Sequence, residues 1–309
     1  MHTLSKYKLV FSRQELALIA ITVVWGATFL IIHTAMSHTG PLFFVGLRFL
    51  GAAAICLVIF RKRMRHLTLT ELRGGAVIGT SIFIVFSLQT FGLQTVNSST
   101  SAFLTALYVP LVPLLQWLVL KRPPKTTTLV GVALAFAGLV MIAGPDALHV
   151  GLGAGEIATL LSAFAIAVEI LLMSRFATVV DSGRISVVQC FVASALSFLA
   201  MPLFGEGIPD FSWVWLTAAL GLAVASALIQ FTMNWAQKTV SASRAAIIYA
   251  GEPVWGGIIG RMAGDRLPPL ALLGALFIVA GVIVSELKAA EKRQDDTPLP
   301  DDDGVRPTP

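Results

Sequence analysis

Charged residues are scarce in this sequence, at 13% of its 309 positions. A soluble domain carries about twice that fraction. With 56% hydrophobic residues and a mean hydropathy of +0.82, the chain reads as an integral membrane protein. Cysteine is rarer still. Cys56 and Cys190 sit inside apolar runs on different candidate helices, which makes them small buried hydrophobes and not a disulfide framework or a metal pair. The five histidines (His2, His33, His38, His66 and His149) lie near the ends of apolar runs or between them, without metal-ligand spacing. No G-x-S-x-G, no H-E-x-x-H, no phosphate-binding loop and no dinucleotide fingerprint occurs. Hydrolase, zinc-protease and nucleotide-driven chemistry therefore have no motif to rest on, and neither a cofactor nor a metal is expected. Long polar stretches are missing too, which leaves no room for a soluble domain between the apolar runs.

What the sequence does contain is membrane-length runs. A span needs ~20 mainly apolar residues to cross the hydrocarbon layer. Ten segments qualify: 16–36, 42–60, 73–94, 98–120, 126–144, 154–174, 185–205, 212–235, 243–263 and 268–288. They are too long and continuous for barrel strands, so the expected fold class is all-α, with ten transmembrane helices. The run from Leu16 to Met36 exceeds the ~7–15 residues of a signal peptide and is taken as an uncleaved first span. The expected divisions are a cytoplasmic N-terminus (1–15), a first five-helix unit (16–144), a second (151–288) and a disordered cytoplasmic tail (289–309) rich in Asp and Pro.

Positive charge orients the chain. With the N-terminus placed inside, the inner segments collect nineteen of the 22 Lys and Arg residues, leaving Arg261 and Arg266 outside and Arg48 within a span. This bias puts both termini in the cytoplasm of a multi-pass protein. The net charge of +5 thus belongs to loops beside spans and is no sign of a nucleic-acid partner.

A shift of 143 positions superposes Phe91–Met141 on Asn234–Val284, pairing Gln94 with Gln237, Pro110 with Pro253, Gly131 with Gly274 and Gly138 with Gly281. Internal repeats of this kind mark many transporters. Each half holds five spans, an odd number, so the second copy enters the membrane the other way round. Two inverted five-helix repeats around a central cavity are expected, with the substrate near the midplane.

Charges inside spans are the first candidates for function, because an ion at the bilayer centre rarely persists without a partner or a wet cavity. They are Arg48 in the second span, Glu169 in the sixth and Glu252, just before Pro253, in the ninth. Arg48 suits an anionic group or a glutamate partner, and Glu169 or Glu252 suits a coupling proton. Trp25, Tyr108, Gln189, Asn234 and Tyr249 are expected to line or neighbour the cavity, with Gln89 and Gln230 as further hydrogen-bonding groups. Gly75 with Gly79, the run Gly256, Gly260 and Gly264, and the seven-residue pairs Gly131/Gly138 and Gly274/Gly281 read as close helix packing.

These residues also carry a family resemblance. Trp25-Gly26-Ala27-Thr28-Phe29 resembles the W-G-x-x-F opening of the EamA family of the drug/metabolite transporter superfamily. Pro41 followed by Arg48-Phe49, then Glu252-Pro253-Val254, Gly264-Asp265-Arg266, Gly274 and Gly281, is similar to that family's later segments. Asp265 stands where the family usually has glutamate, and Lys121-Arg122 replace an acidic position in the first half. The resemblance covers nearly the whole chain. It implies ten helices in two inverted halves around a cavity, working as an exporter of metabolites, amino acids or toxic compounds.

The expected function is therefore a non-enzymatic secondary transporter of the bacterial inner membrane. Its partners are a small-molecule substrate, membrane lipids and protons, and it acts as monomer or homodimer. The alternatives are a membrane-embedded enzyme acting on a lipid or isoprenoid, and a structural or sensory membrane protein. The enzyme would need clustered acids or histidines at the cytoplasmic face, where the loops carry almost only Lys and Arg.

Overall fold

The structure, a computed structural model, describes residues 11–96, 98–121, 123–143, 153–252, 254, 255, 258 and 269–295. Asn97, Arg122, Pro253, Gly256, Gly260, Arg261, Gly264, Asp265, Arg266 and the tail from 296 lie outside the described residues, as do Lys6, Lys8, His2 and His149. Among the described residues the chain is helical without strands. The first half contains α1 (Arg13–Met36), α2 (Pro41–Met64), α3 (Leu69–Gly92), α4 (Ser98–Thr105), α5 (Tyr108–Leu120) and α6 (Thr126–Ala143). The second contains α7 (Ala154–Ala177), α8 (Ser182–Ala200), α9 (Trp213–Ala236), α10 (Ala242–Tyr249) and α11 (Pro269–Asp295). Six of these, α1, α2, α3, α7, α8 with its 3₁₀ extension, and α9, are long and apolar enough to cross a membrane. Their outward faces carry residues such as Val58 and Leu199, 70% exposed, as suits contact with lipid.

The fourth expected span is broken. α4 ends at Thr105, and α5 starts at Tyr108 after a turn closed by Leu107 N–H donating to the Leu104 carbonyl and Val109 N–H to that of Ala106. Pro110 has no N–H to continue the ladder, which explains the interruption at this point. The same break recurs in the ninth span, where Ala250 and Gly251 follow α10 and Gly251 N–H donates to Ile248. Backbone groups inside a membrane must be satisfied within the protein, and these short-range bonds do that. At the other extreme, α11 runs past Lys288 to Asp295, where a disordered tail was expected from 289. Ala289, Ala290, Glu291 and Lys292 are strong helix formers and carry it on.

Packing shows the inversion directly. α2 packs on α8 and α6 on α11; α3 packs on α7 and α8 as α9 packs on α1 and α2. Exchanging each helix for its counterpart in the other half leaves this pattern unchanged. In the α6–α11 pair, a Cβ on Gly281 would meet the Gly131 carbonyl oxygen at 2.6 Å, and one on Gly138 would strike that of Gly274. Gly131 and Gly274 are repeat equivalents, as are Gly138 and Gly281. The contact is therefore self-complementary and antiparallel, as two copies related by a two-fold axis across the helices must be.

Basic loop residues gather at one end of the bundle, where three ion pairs join the halves. Arg63 meets Asp181 at 3.3 Å, Arg184 meets Glu71 at 2.6 Å and Arg244 meets Glu15 at 2.7 Å. All three acids also cap helices: Glu15 in a capping box with Ser12, Glu71 with Thr68, and Asp181 on Gly183 and Arg184 N–H. At the opposite end, Glu206 reaches across the halves to accept from Leu42 N–H at 3.0 Å and Phe43 N–H at 2.6 Å, capping α2. Gly205 takes φ +67° to make that turn, and Gly40 leaves the room, since a Cβ there would collide with the Glu206 carboxyl group.

Candidate functional site

α9 organises the buried polar groups. Ser226, Gln230, Asn234 and Gln237 recur at steps of four, four and three, so they share one helix face. Each is at most 3% exposed. Together they form a ladder about 16 Å long at helical rise. Small residues let the neighbouring helices reach it. A Cβ on Gly79 would press on the Gln189 backbone of α8, and one on Gly75 would meet Val188 at 2.6 Å.

The central rungs join in a directional chain. Asn234 Nδ2 donates to Gln189 Oε1 at 3.1 Å, Gln189 Nε2 to Gln230 Oε1 at 2.8 Å, and Gln230 Nε2 to Glu169 Oε1 at 3.4 Å. Asn234 Nδ2 also reaches Ser186 Oγ and the Gln230 carbonyl. Three amides thus point their donors one way, and the line ends on a buried carboxylate of α7. Glu169 is 4% exposed, so it stays in the interior and does not reach for the basic end.

Arg48 docks on the same ladder one turn away. Its Nε donates to Ser226 Oγ at 2.6 Å, and its guanidinium carbon lies 4.7 Å from the centre of the Phe86 ring and 5.4 Å from that of Phe49. It is 2% exposed, and among the described residues no carboxylate lies within ion-pair distance. The glutamate partner considered from sequence is therefore absent among those residues. Cys190 lies within electrostatic range of both Arg48 and Glu169.

The far rung meets the aromatics. Gln237 Nε2 donates to Tyr249 Oη at 3.4 Å, and Tyr249 packs edge-on against Trp25, with ring centres 5.7 Å apart. Tyr249 is within electrostatic range of Glu169, and Tyr108 of both Tyr249 and Glu252. Glu252 is 5% exposed, and its Oε1 finds no hydrogen-bond partner among the described residues. Of the residues expected from sequence, Gln189, Asn234 and Glu169 thus join the α9 chain directly, Arg48 and Tyr249 bond to its Ser226 and Gln237, and Trp25 packs on Tyr249, whereas Tyr108 and Glu252 are buried near Tyr249 without a hydrogen bond to the ladder among the described residues. Ser186, Ser226 and Gln237 also belong to it and were missed from sequence. The α9 periodicity was the available signal for the last two. Among the described residues no cluster of His, Cys, Asp or Glu could hold a metal ion.

The EamA-like transporter family matches residues 13–144 and again residues 153–287. An uncharacterised transporter of Archaeoglobus fulgidus is 26% identical over 278 residues, 89% of this chain and 86% of the relative. A probable amino-acid metabolite efflux pump of Salmonella typhimurium is 26% identical, over 82% of this chain and 80% of the relative. A solved crystal structure shares the fold with a TM-score of 0.74 at 20% identity, covering 90% of this chain and 99% of that one.

Proposed function

We propose a secondary exporter, from the premise that the family match establishes: this chain belongs to the EamA-like transporter family. It is a membrane transporter. Beyond that, the proposal is that it moves a small metabolite, of the amino-acid-derived kind named for its Salmonella relative, out of the cytoplasm by alternating access. The basic end faces the cytoplasm of a bacterial inner membrane, by the positive-inside rule, and both termini lie there. The two halves rock about their shared axis, exposing the α9 ladder first to one side and then to the other.

The observation that carries this reading is three ionisable side chains, Arg48, Glu169 and Glu252, buried in the bundle with no ion pair among the described residues. Each costs at least a few kcal/mol in a membrane interior, and a scaffold needs none of them. Arg48 offers its guanidinium to an anionic substrate group. Trp25, Tyr108 and Tyr249 supply apolar walls, and Gln189 and Asn234 supply amide contacts. Glu169 and Glu252 change their contact with water as the site opens and closes, so either can take up and release a coupling proton. No bond is made or broken in transport, and no residue is assigned a catalytic role.

The test is an efflux screen of amino acids and related metabolites in cells overexpressing the protein, repeated in proteoliposomes. At least one compound is expected to leave faster, with the rate falling tenfold or more in Arg48→Ala and losing its proton-gradient dependence in Glu252→Gln or Glu169→Gln. Efflux that ignores Arg48→Ala would remove the substrate site proposed. A gradient dependence that survives both glutamine variants would remove the proton role.

A further inference from the structure

A second polar site lies apart from the ladder. At the basic end a cleft of ≈ 290 Å³ opens between the α5–α6 connection of the first half and α10 of the second. That size is near the lower limit of small-ligand pockets, room for an anionic headgroup or a small solute. Lys125, Arg244, Gln116, Ser241 and Ser243 face it, and its described lining contains no acid. Lys125 is exposed and makes no ion pair among the described residues, whereas Arg244 is held in place by Glu15. Pro123 and Pro124 precede Lys125. Their fixed φ stiffens the connection, so little chain entropy is lost in presenting the lysine over the cleft.

The wall of the cleft joins the halves. Ser243 Oγ donates to Gln116 Oε1 at 2.5 Å, linking α10 to α5. Both helices run inward from that contact. Gln116 lies eight residues from Tyr108 along α5, about 12 Å at helical rise, and Ser243 lies six from Tyr249 along α10, about 9 Å. The cleft therefore stands over the aromatic end of the ladder, separated from it by the α5–α10 contact.

We infer that this cleft is an anion site, taking a carboxylate or phosphate group between Lys125, Arg244 and the hydroxyl of Ser241, which makes no capping hydrogen bond of its own. As a vestibule where solute waits for the Gln116–Ser243 contact to part, it rests on the exporter reading; as a binding site it does not. The same chemistry has two sources, a soluble anion and the phosphate of an anionic lipid at the cytoplasmic surface.

The full chain in neutral detergent is unfolded thermally while inorganic phosphate is titrated against chloride at matched ionic strength. In parallel, phosphatidylglycerol is titrated against phosphatidylcholine. The unfolding midpoint is expected to rise saturably with phosphate, with phosphatidylglycerol, or with both. Lys125→Gln, at an exposed position that leaves folding intact, and the double variant Lys125→Gln/Ser241→Ala are expected to raise the half-saturating concentration at least tenfold. Arg61→Gln, at the basic end outside the cleft, is expected to leave it unchanged. Protection by phosphatidylglycerol alone identifies a lipid headgroup as the occupant, and protection by phosphate identifies a soluble anion. No protection beyond chloride and phosphatidylcholine, or equal protection of Lys125→Gln, overturns the site. Because the readout is binding, that failure leaves the exporter reading to its efflux test, and a failed efflux test leaves this result standing.

Discussion

Gln230 is where the two buried charges of opposite sign come nearest to sharing a support. It sits one helical turn from Ser226, which holds Arg48, and its own amide spans from Gln189 to Glu169. Replacing it with methionine keeps the volume but leaves the Gln189 donor and Glu169 without this partner. Unsatisfied buried polar groups cost about 1–3 kcal/mol each. Gln230→Met leaves two such groups and is therefore expected to lower stability in detergent by about 2–6 kcal/mol and to cut efflux tenfold or more. Gln230→Glu should restore neither, because it adds a carboxylate beside Glu169. Denaturant unfolding and transport measured on the same preparations check both. Efflux at wild-type rates in Gln230→Met would show that the amide line is only structural.

Helix pairs carry the duplication. The seven-residue glycine spacing in α6 and α11 brings backbone against backbone at both crossing points, where a Cβ would meet a carbonyl oxygen. Gly281→Val is expected to push the pair apart and cost roughly 1–3 kcal/mol, as overpacking does. Gly221, with nothing near its absent Cβ, should accept alanine freely. Unfolding midpoints of the two variants should differ accordingly; a Gly281→Val protein as stable as the parent would contradict the close crossing. At this scale much was legible in sequence. Six of the ten expected spans followed from hydropathy as membrane-length helices, and the inverted repeat followed from an odd number of spans per half, because lipid leaves the backbone few alternatives. The breaks at Ala106-Leu107 and Ala250-Gly251 were not read, although Pro110 marked the first. A mid-span proline is as compatible with a kink as with a new helix start. The site was half legible for a related reason. Buried charges stand out singly, whereas Ser226 and Gln237 look like ordinary helix residues until the α9 face is known. The cap made by Glu206, 164 positions from Leu42, had no local signal at all.

Across the whole molecule, polar contacts tie the halves together at both ends as well as inside the bundle, where Arg48 meets Ser226, Ser81 meets the Ala165 carbonyl and Ser194 meets that of Gly46. Three ion pairs and the Gln116–Ser243 hydrogen bond join them at the basic end, and the Glu206 cap joins them at the other. Exposed or half-exposed ion pairs contribute little to stability, about 0–1 kcal/mol. They suit an interface that must open repeatedly better than a permanent one. Two pairs have a nearly buried, helix-capping acid, Arg184–Glu71 and Arg244–Glu15; the first also holds Asp181 N–H across the halves, which marks it as a fixed hinge point. Between α5 and α10 themselves the described polar tie is the one Gln116–Ser243 hydrogen bond, so this contact is the part expected to separate when the basic end opens, with α10 kept on α1 by Arg244 and Glu15. Cysteines placed at Gln116 and Ser243 and joined by a short thiol crosslinker should then hold that end shut. The native Cys56 and Cys190 are buried, which keeps background labelling low. Efflux by the crosslinked double variant is expected to fall at least tenfold and to recover when a cleavable linker is reduced, while each single cysteine variant transports as before. Transport that continues through the crosslinked protein would mean that the halves do not part at α5 and α10.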